Sequence, residues 1–227
     1  MARTATVEKE AAKRYTTPVG RLINNALFER DQFDANSKPS YKIELALDPG
    51  EDLDYLIGDV EDWVKENLPH VKPTKDGKLL DIDGGPVITM FLDGDRLAAE
   101  RESRGKKGDA YKGKTVIRAN TIYNRDGVEG PGGAVVYDEE VTLIEPVNAR
   151  AIYNGCMGVA GVTIASYEVE DRKTKVKDPA VKFYLVAFQK TGDGEKLTSP
   201  ADHSSLFKPV GRPAGAAPET GRRKRAG

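Results

Sequence analysis

The chain is poor in the residues that build disulfides, metal sites and nucleophilic catalytic pairs. Its 227 residues include one cysteine, Cys156, and two histidines, His70 and His203. A single cysteine excludes an internal disulfide and is typical of a protein in a reducing cytoplasm. The histidines are far apart and neither is spaced from Cys156 as a ligand would be, so we expect no metal site. Since no spacing supports a nucleophile–base pair, we predict no catalytic residues, no enzyme activity and no cofactor.

Long hydrophobic runs and phosphate-binding loops are also missing. No run of 18 apolar residues occurs, so we expect no membrane span. The first 15 residues lack the apolar core of a signal peptide, so we expect a cytoplasmic location. The glycine-rich stretch 130–133 lacks the Gly-Lys-Ser or Gly-Lys-Thr ending of a P-loop, which favours a β-turn.

Charge is nearly balanced in total and unevenly distributed. There are 35 Lys and Arg against 36 Asp and Glu, for a net charge of −1. Segment 48–62 carries only acidic charges, whereas 104–118 and the tail from Lys208 are mainly basic. Because local patches set the local field, the near-neutral total does not argue against a nucleic-acid partner.

Segment 111–167 combines strand-like alternation with basic and aromatic residues. Lys112, Lys114 and Arg118 fall on one parity, with apolar Val116 and Ile117 between them and Tyr111 and Tyr123 on either side. Cations neutralise phosphates, and aromatic rings stack on unpaired bases. The pattern therefore favours a single-stranded nucleic-acid binder. A more ordinary interpretation stays open for each strand tyrosine, in which the ring edges a β core: Tyr111, Tyr123, Tyr153, Tyr167 and Tyr184.

Period-two alternation dominates, which predicts a mainly β fold with one main helix. We expect a loop over 24–40, a short strand within 86–95, a charged helix or loop over 96–110, a basic hairpin loop over 171–179, and strands over 16–23, 41–47, 112–124, 134–145, 156–169 and 180–190. Residues 53–68 have the helical period, with Asp52 as N-cap, Pro69 as stop and Trp63 at the core or its rim.

Composition divides the chain into three parts. Residues 1–14 are predicted to form an N-terminal arm and 15–207 the single folded domain. Residues 208–227, rich in Pro, Gly, Ala and basic residues, are predicted to be a disordered basic tail.

Four segments carry a resemblance to a known family. They are GRLINNALFERDQFDANSKPSYKIELALDP, YKGKTVIRAN, IYNGCMGVAGVTIASYEV and VKFYLVAFQKTGDGEKL, in that order along the chain. Together they resemble bacteriophage single-stranded-DNA-binding proteins over about residues 18–200. The Tyr-Asn-Gly-Cys segment and the final strand followed by GDGEKL are the most specific pieces.

The resemblance implies an OB-fold, a five-stranded Greek-key barrel with a helix and extended loops, which binds single strands across one face. It also implies a protein that coats single-stranded DNA in phage replication, recombination or repair, in the host cytoplasm. Duplex DNA and self-association along the strand are further options, and no particular replication protein is indicated. Many such proteins end in an acidic tail, whereas this chain ends ETGRRKRAG, which puts recruitment through an acidic tail in doubt.

On this interpretation, strands 41–47, 111–124 and 180–190 form the floor of a DNA-binding groove. The phosphate-binding residues are predicted to be Lys42, Lys112, Lys114, Arg118 and Lys182. The stacking rings are predicted to be Tyr111, Tyr123, Tyr153 and Tyr184. Basic loop residues are expected to close over the strand: Lys106, Lys107, Arg172, Lys173, Lys175 and Lys177.

Two other classes stay open. One is a non-catalytic protein-interaction or assembly module that uses the acidic helix face 48–62. The other is a nuclease or another enzyme, for which the ligand set is sparse. The residues do not distinguish DNA from RNA, because none visibly reads a 2′-hydroxyl.

Overall fold

A computed structural model describes residues 13–31, 40–121, 134–170 and 175–197. Within them the chain forms eight strands and two α-helices. The strands are β1 (Arg14–Thr16), β2 (Gly20–Asp31), β3 (Ser40–Leu47), β4 (Phe91–Asp93), β5 (Thr115–Asn120), β6 (Val135–Tyr137), β7 (Met157–Glu170) and β8 (Lys177–Gly192). The helices are α1 (Glu51–Asn67) and α2 (Gly94–Ser103), and short 3₁₀ turns occupy Asp81–Asp83 and Pro146–Ala151. The predicted mainly β class is confirmed, with a second, shorter helix and an eight-stranded sheet where the resemblance implies a five-stranded barrel.

The strands form one mixed sheet in the order β1-β7-β2-β3-β5-β8-β6, with β4 beside β5. An additional pairing joins β7 to β8, so five strands pair in a closed cycle, β2-β3-β5-β8-β7 and back to β2. All pairings in the cycle are antiparallel except β5 with β8, which run parallel. The main core lies on one face of these strands, and its largest fully buried side chains include Phe183, Phe188 and Leu22.

Alternation along β3 decides which residues reach this core. Ile43, Leu45 and Leu47 are buried, as the period of two predicts, whereas Lys42 and Glu44 are only partly covered. Ala46 is also buried, because α2 and the turn after it cover part of the opposite face. The strand predicted at 41–47 is therefore confirmed, and β3 has polar side chains outside only over its first half.

Helix α1 buries its predicted apolar stripe at Leu53, Leu56, Val60 and Val64. It ends at Asn67, two residues before Pro69, since a residue that precedes proline disfavours helical backbone angles. The predicted N-cap is wrong. Gly50 is the N-cap and makes no side-chain cap hydrogen bond, so Asp52 lies inside the first turn. There its negative charge interacts favourably with the positive end of the helix dipole.

Three further features of the sequence prediction are found in the structure. They are the position of Trp63, a short strand and a charged helix. Trp63 is partly buried and packs against the core cluster, as expected of a core or rim residue. The short strand predicted within 86–95 corresponds to β4, and the charged segment after it forms α2. Asp93 caps α2, because its carboxylate accepts hydrogen bonds from the backbone amides of Asp95 and Arg96 at 2.8 and 3.2 Å.

The boundaries of β2, β5 and β6 differ from the sequence prediction. β2 continues to Asp31 through a segment expected to be a loop, because its pairing with β3 resumes after an irregularity between Leu22 and Asn24. β5 begins only at Thr115, because Gly113 turns the chain with φ 65° and donates its amide to Asp95 at 2.8 Å. β6 is limited to three residues of the predicted 134–145 strand.

Strands β7 and β8 pair from Met157↔Gly192 to Glu170↔Lys177 and form a long hairpin. β7 is shifted by one residue from its predicted limits, whereas β8 extends beyond both of its limits, so part of the segment expected to be hairpin loop belongs to β8. The predicted arm and tail lie almost entirely outside the described residues, and these domain limits stay predictions. In the described part of the chain, no helix is long and apolar enough to cross a membrane.

Candidate nucleic-acid interface

One row of side chains crosses four strands on the face opposite the main core. The strand registers pair Lys42 with Asn120, Asn120 with Tyr184, and Tyr184 with Thr163. Residues directly opposite each other in neighbouring strands point to the same face. All four side chains are partly exposed. We refer to these four residues as the cross-strand row.

The adjacent row confirms which face this is. Its members also pair directly across the same four strands and are buried in the core: Ile43, Ala119, Phe183 and Ile164. Because side chains alternate along each strand, the cross-strand row lies on the outer side of the same sheet. It combines a cation, an amide, an aromatic ring and a hydroxyl.

Lys182 lies beside this row, between two aromatic rings. Its ammonium nitrogen is 4.7 Å from the ring centroid of Tyr184 and 5.2 Å from that of Tyr167. Within the described residues Lys182 makes no ion pair with a carboxylate. A partly exposed ammonium held between two rings provides both elements that single strands need, a positive charge for phosphate and π-faces for bases.

The other predicted phosphate-binding residues on strands or their flanks all face carboxylates. Lys42 lies 2.6 Å from Asp31, and Arg118 lies 2.6 Å from Glu44. Lys114 pairs with Asp48. Such partly exposed pairs are worth at most about 1 kcal/mol, so they lower the local positive charge without preventing a phosphate from competing.

Lys112 is the most strongly balanced of these cations. Its ammonium contacts Glu102 at 2.7 Å and Asp109 at 3.2 Å, and the hydrogen bond to Glu102 is the main cause of its raised pKa. Lys112 and Lys114 lie in the turn before β5 rather than on the strand, so the expected alternation of Lys112, Lys114 and Arg118 along one strand does not form.

Tyr111 corrects a predicted role. Its side chain is 5% exposed and packs in a small cluster with Ala98 and Val116 beneath α2. The Arg101 guanidinium lies 4.9 Å from the ring centroid, and burial raises the pKa of the phenol. The prediction that Tyr111 offers a stacking face to a base is wrong, because the ring is used to seat the helix on the sheet.

Tyr153 is held by the segment that follows β8. Its hydroxyl donates to Asp193 at 2.9 Å, and the ammonium groups of Lys190 and Lys196 lie 5.9 and 5.1 Å from its ring centroid. Lys190 in turn contacts Asp193 at 2.6 Å. Tyr153 is therefore engaged in intramolecular contacts at a place where the sequence predicts stacking.

The two sequence pieces judged most specific pack on each other around this tyrosine. Gly155 has φ 118°, and a side chain there would overlap the carbonyl oxygen of Glu195. A side chain at Gly194 would overlap the carbonyl oxygen of Gly155, and the Leu197 amide donates to Asn154 at 2.9 Å. We call residues 153–156 and 193–197 the clasp. It joins the start of β7 to the end of β8.

The predicted loop cations are only partly described. Lys106 and Lys107 are exposed after α2. On the hairpin, Lys175 lies 3.1 Å from Glu170 and Lys177 lies 2.9 Å from Glu168. Tyr123, Arg172 and Lys173 lie outside the described residues, and their roles stay predictions. No group of three or more potential metal-ligating side chains occurs in the described part of the chain.

Sequence patterns alone did not identify Asn120, Thr163 or Tyr167 as site residues. Asn120 and Thr163 belong to the row only because of the parallel β5–β8 register, which single-strand alternation does not contain. Tyr167 is visible as a strand tyrosine, but its contact with Lys182 depends on the pairing of β7 with β8.

In solved structures, this fold occurs in single-stranded DNA-binding proteins of bacteriophages. The single-stranded DNA-binding protein of bacteriophage Enc34, in complex with ssDNA, matches with a TM-score of 0.55 and 18% identity, over 81% of this chain and 88% of that chain. Gp2.5, the single-stranded DNA-binding protein encoded by bacteriophage T7, matches with a TM-score of 0.50 and 13% identity, over 90% of this chain and 100% of that chain. No protein-family model and no curated protein sequence matches the chain. The predicted resemblance is thus confirmed for the fold.

Proposed function

We propose that the protein binds single-stranded DNA without sequence specificity and coats it during phage replication, recombination or repair. The observation that carries the proposal is the cross-strand row with Lys182 held between Tyr184 and Tyr167. These groups address phosphates and base faces, which all sequences share. On this proposal, the protein is not an enzyme, acts in the host cytoplasm and needs no cofactor.

The proposed architecture is an OB-fold. The closed cycle β2-β3-β5-β8-β7, with its single parallel pair, supports a five-stranded barrel inside the larger sheet. On that basis, the cross-strand row runs over the outside of the barrel. Phosphate contacts are proposed for Lys42, Arg118 and Lys182, and stacking for Tyr184. The surrounding loop cations would add contacts that depend on salt: Lys106, Lys107, Lys112, Lys114, Lys175 and Lys177.

Fluorescence anisotropy of a labelled oligo-dT, at low and high salt and with a duplex competitor, tests the proposal. We expect tight binding that weakens as salt rises, because phosphate contacts release counterions. Replacing Tyr184 with Ala should weaken binding by about 1–3 kcal/mol, the worth of one stacked base. The matched control is Tyr55→Ala, since Tyr55 is 72% exposed on α1, away from the row.

Two results would contradict the proposal. Absence of binding at low salt would remove the nucleic-acid function. Equal binding of duplex and single strand, unaffected by Tyr184→Ala, would indicate a general polyanion surface in place of a single-strand site.

A protein-interaction module is the second candidate. The exposed first turn of α1 carries Glu51, Asp52 and Asp54, and Tyr55 is exposed beside them. This surface repels a polyanion and suits a basic partner. Failure of the protein to respond to any nucleic acid in solution would favour this candidate over the first.

A further inference from the structure

A cavity of about 590 Å³ opens between the end of α1, the segment around Pro86 and the part of the β7–β8 hairpin next to its loop. Its walls include His70, Lys72, Pro86, Tyr167, Lys177 and Pro179. Sites for small molecules typically measure about 300–1,000 Å³, so the cavity has room for a nucleotide. Apart from Lys177, none of these residues was predicted to bind nucleic acid.

The cavity lining has one aromatic wall and a lysine, Lys72, without a carboxylate partner among the described residues. Tyr167 is partly buried, and burial is the main cause of the raised pKa of its phenol. The charge of Asp81 is the second cause of that raised pKa. The Lys177 ammonium forms an ion pair with the Glu168 carboxylate at 2.9 Å, so these two charges balance each other. Lys72 is exposed and makes no ion pair within the described residues, so its ammonium is available to a phosphate. A ring beside an unbalanced ammonium suits a base with its attached phosphate.

The cavity is continuous with the proposed DNA-binding face. Tyr167 forms part of its wall and also lies 5.2 Å from the Lys182 ammonium, which is 4.7 Å from the Tyr184 ring on the other side. A single strand that stacks on Tyr184 therefore meets a second ring and then the cavity without leaving the cationic, aromatic surface.

We infer that this cavity holds one nucleotide of the bound single strand, with its base against Tyr167 and its phosphate at Lys72. The inference rests on the proposed function and adds a subsite to it. A free mononucleotide has the same chemistry, but the continuity through Lys182 and Tyr184 favours a nucleotide that belongs to the strand.

Binding of labelled oligo-dT, of about 4 to 16 nucleotides to cover the range of one OB-fold, tests the subsite. Tyr167→Leu keeps apolar volume but removes the ring, and should weaken binding of the longer oligonucleotides about 5- to 150-fold. Tyr167→Phe should retain wild-type affinity. Lys72→Glu should weaken binding and make the negative slope of log affinity against log salt shallower by about 0.7 or more.

Matched controls exist for both substitutions. Tyr55→Leu changes an exposed tyrosine of α1, and Lys75→Glu reverses an exposed lysine outside the cavity lining. Both should bind as the wild type does. Trp63 is the only tryptophan and packs against the core, so its fluorescence during urea unfolding reports whether each variant is folded. If Tyr167→Leu does not fold, Lys72→Glu, which changes an exposed side chain, still decides.

The outcomes separate this inference from the function on which it rests. If the wild type binds no oligo-dT, the proposed function fails. If the wild type binds and Tyr167→Leu and Lys72→Glu bind equally well, the function stands and the subsite is overturned. The mononucleotide dTMP provides a further arm, in which competition with oligo-dT that depends on Tyr167 is expected. Tyr167-dependent binding of dTMP without competition would mark a free-nucleotide site and also overturn the inference.

Discussion

Two segments of the chain combine lysine or arginine with tyrosine, and the structure uses them in opposite ways. In the segment 111–118, the tyrosine is buried and each cation faces a carboxylate. In the segment 182–184 of β8, Lys182 lies between two rings and makes no ion pair within the described residues, and Tyr184 remains partly exposed. Basic and aromatic composition therefore does not by itself define a binding face. What distinguishes the two segments is whether acidic neighbours and helix α2 cover them.

The largest effect should come from the buried tyrosine. Tyr111→Ala removes a ring that packs against Ala98 and Val116, and should lower the free energy of unfolding by about 3–5 kcal/mol. Tyr184→Ala should cost only about 1 kcal/mol, mainly the cation–π contact with Lys182. Urea unfolding followed by Trp63 fluorescence measures both. A larger loss of stability in Tyr184→Ala would reverse the structural roles given to the two rings.

A smaller effect, with opposite signs in the two segments, should appear in binding. Glu44→Gln frees Arg118 from the carboxylate 2.6 Å away, and should strengthen binding of oligo-dT by up to about 1 kcal/mol. Lys182→Gln should weaken binding. It should also make the negative slope of log affinity against log salt shallower by about 0.7, because one phosphate contact is lost.

Anisotropy titrations at several salt concentrations measure both binding changes. The control is Glu66→Gln, which removes an exposed carboxylate of α1 and should leave affinity unchanged. Weaker binding by Glu44→Gln would contradict this prediction. It would show that Glu44 helps DNA binding by positioning Arg118, and that this outweighs its neutralisation of the Arg118 charge.

The sequence predicts the fold better than the site because the two depend on different ranges of contact. The stripe of α1 and the alternation of β3 are local periodicities, and both elements form where predicted. The polar pair Asn24 and Asn25 reads as a loop, but pairing with β3 keeps it in strand. Tyr111 illustrates the limit for the site, since its burial depends on α2, which packs over the sheet from an earlier part of the chain. Alternation can specify that two faces exist, but not which neighbours cover one of them.

Tyr153 in the clasp differs from Tyr184 in one respect. Both rings have lysine ammonium groups nearby, but the Tyr153 hydroxyl also donates a hydrogen bond to a carboxylate, that of Asp193. The Lys190 ammonium, and next the Tyr153 hydroxyl, hold the pKa of Asp193 below its ordinary value. A lowered pKa in the folded state stabilises the protein above the unfolded value of about 3.9, and this contribution is lost as pH falls through the folded pKa. Asp193→Asn should therefore lose less stability than the wild type between about pH 7 and pH 3. Urea midpoints at the two pH values measure this small difference, with Asp76→Asn, at an exposed turn residue, as control. Equal acid sensitivity of Asp193→Asn and the wild type would mean that the Asp193 contacts do not help to hold the clasp closed.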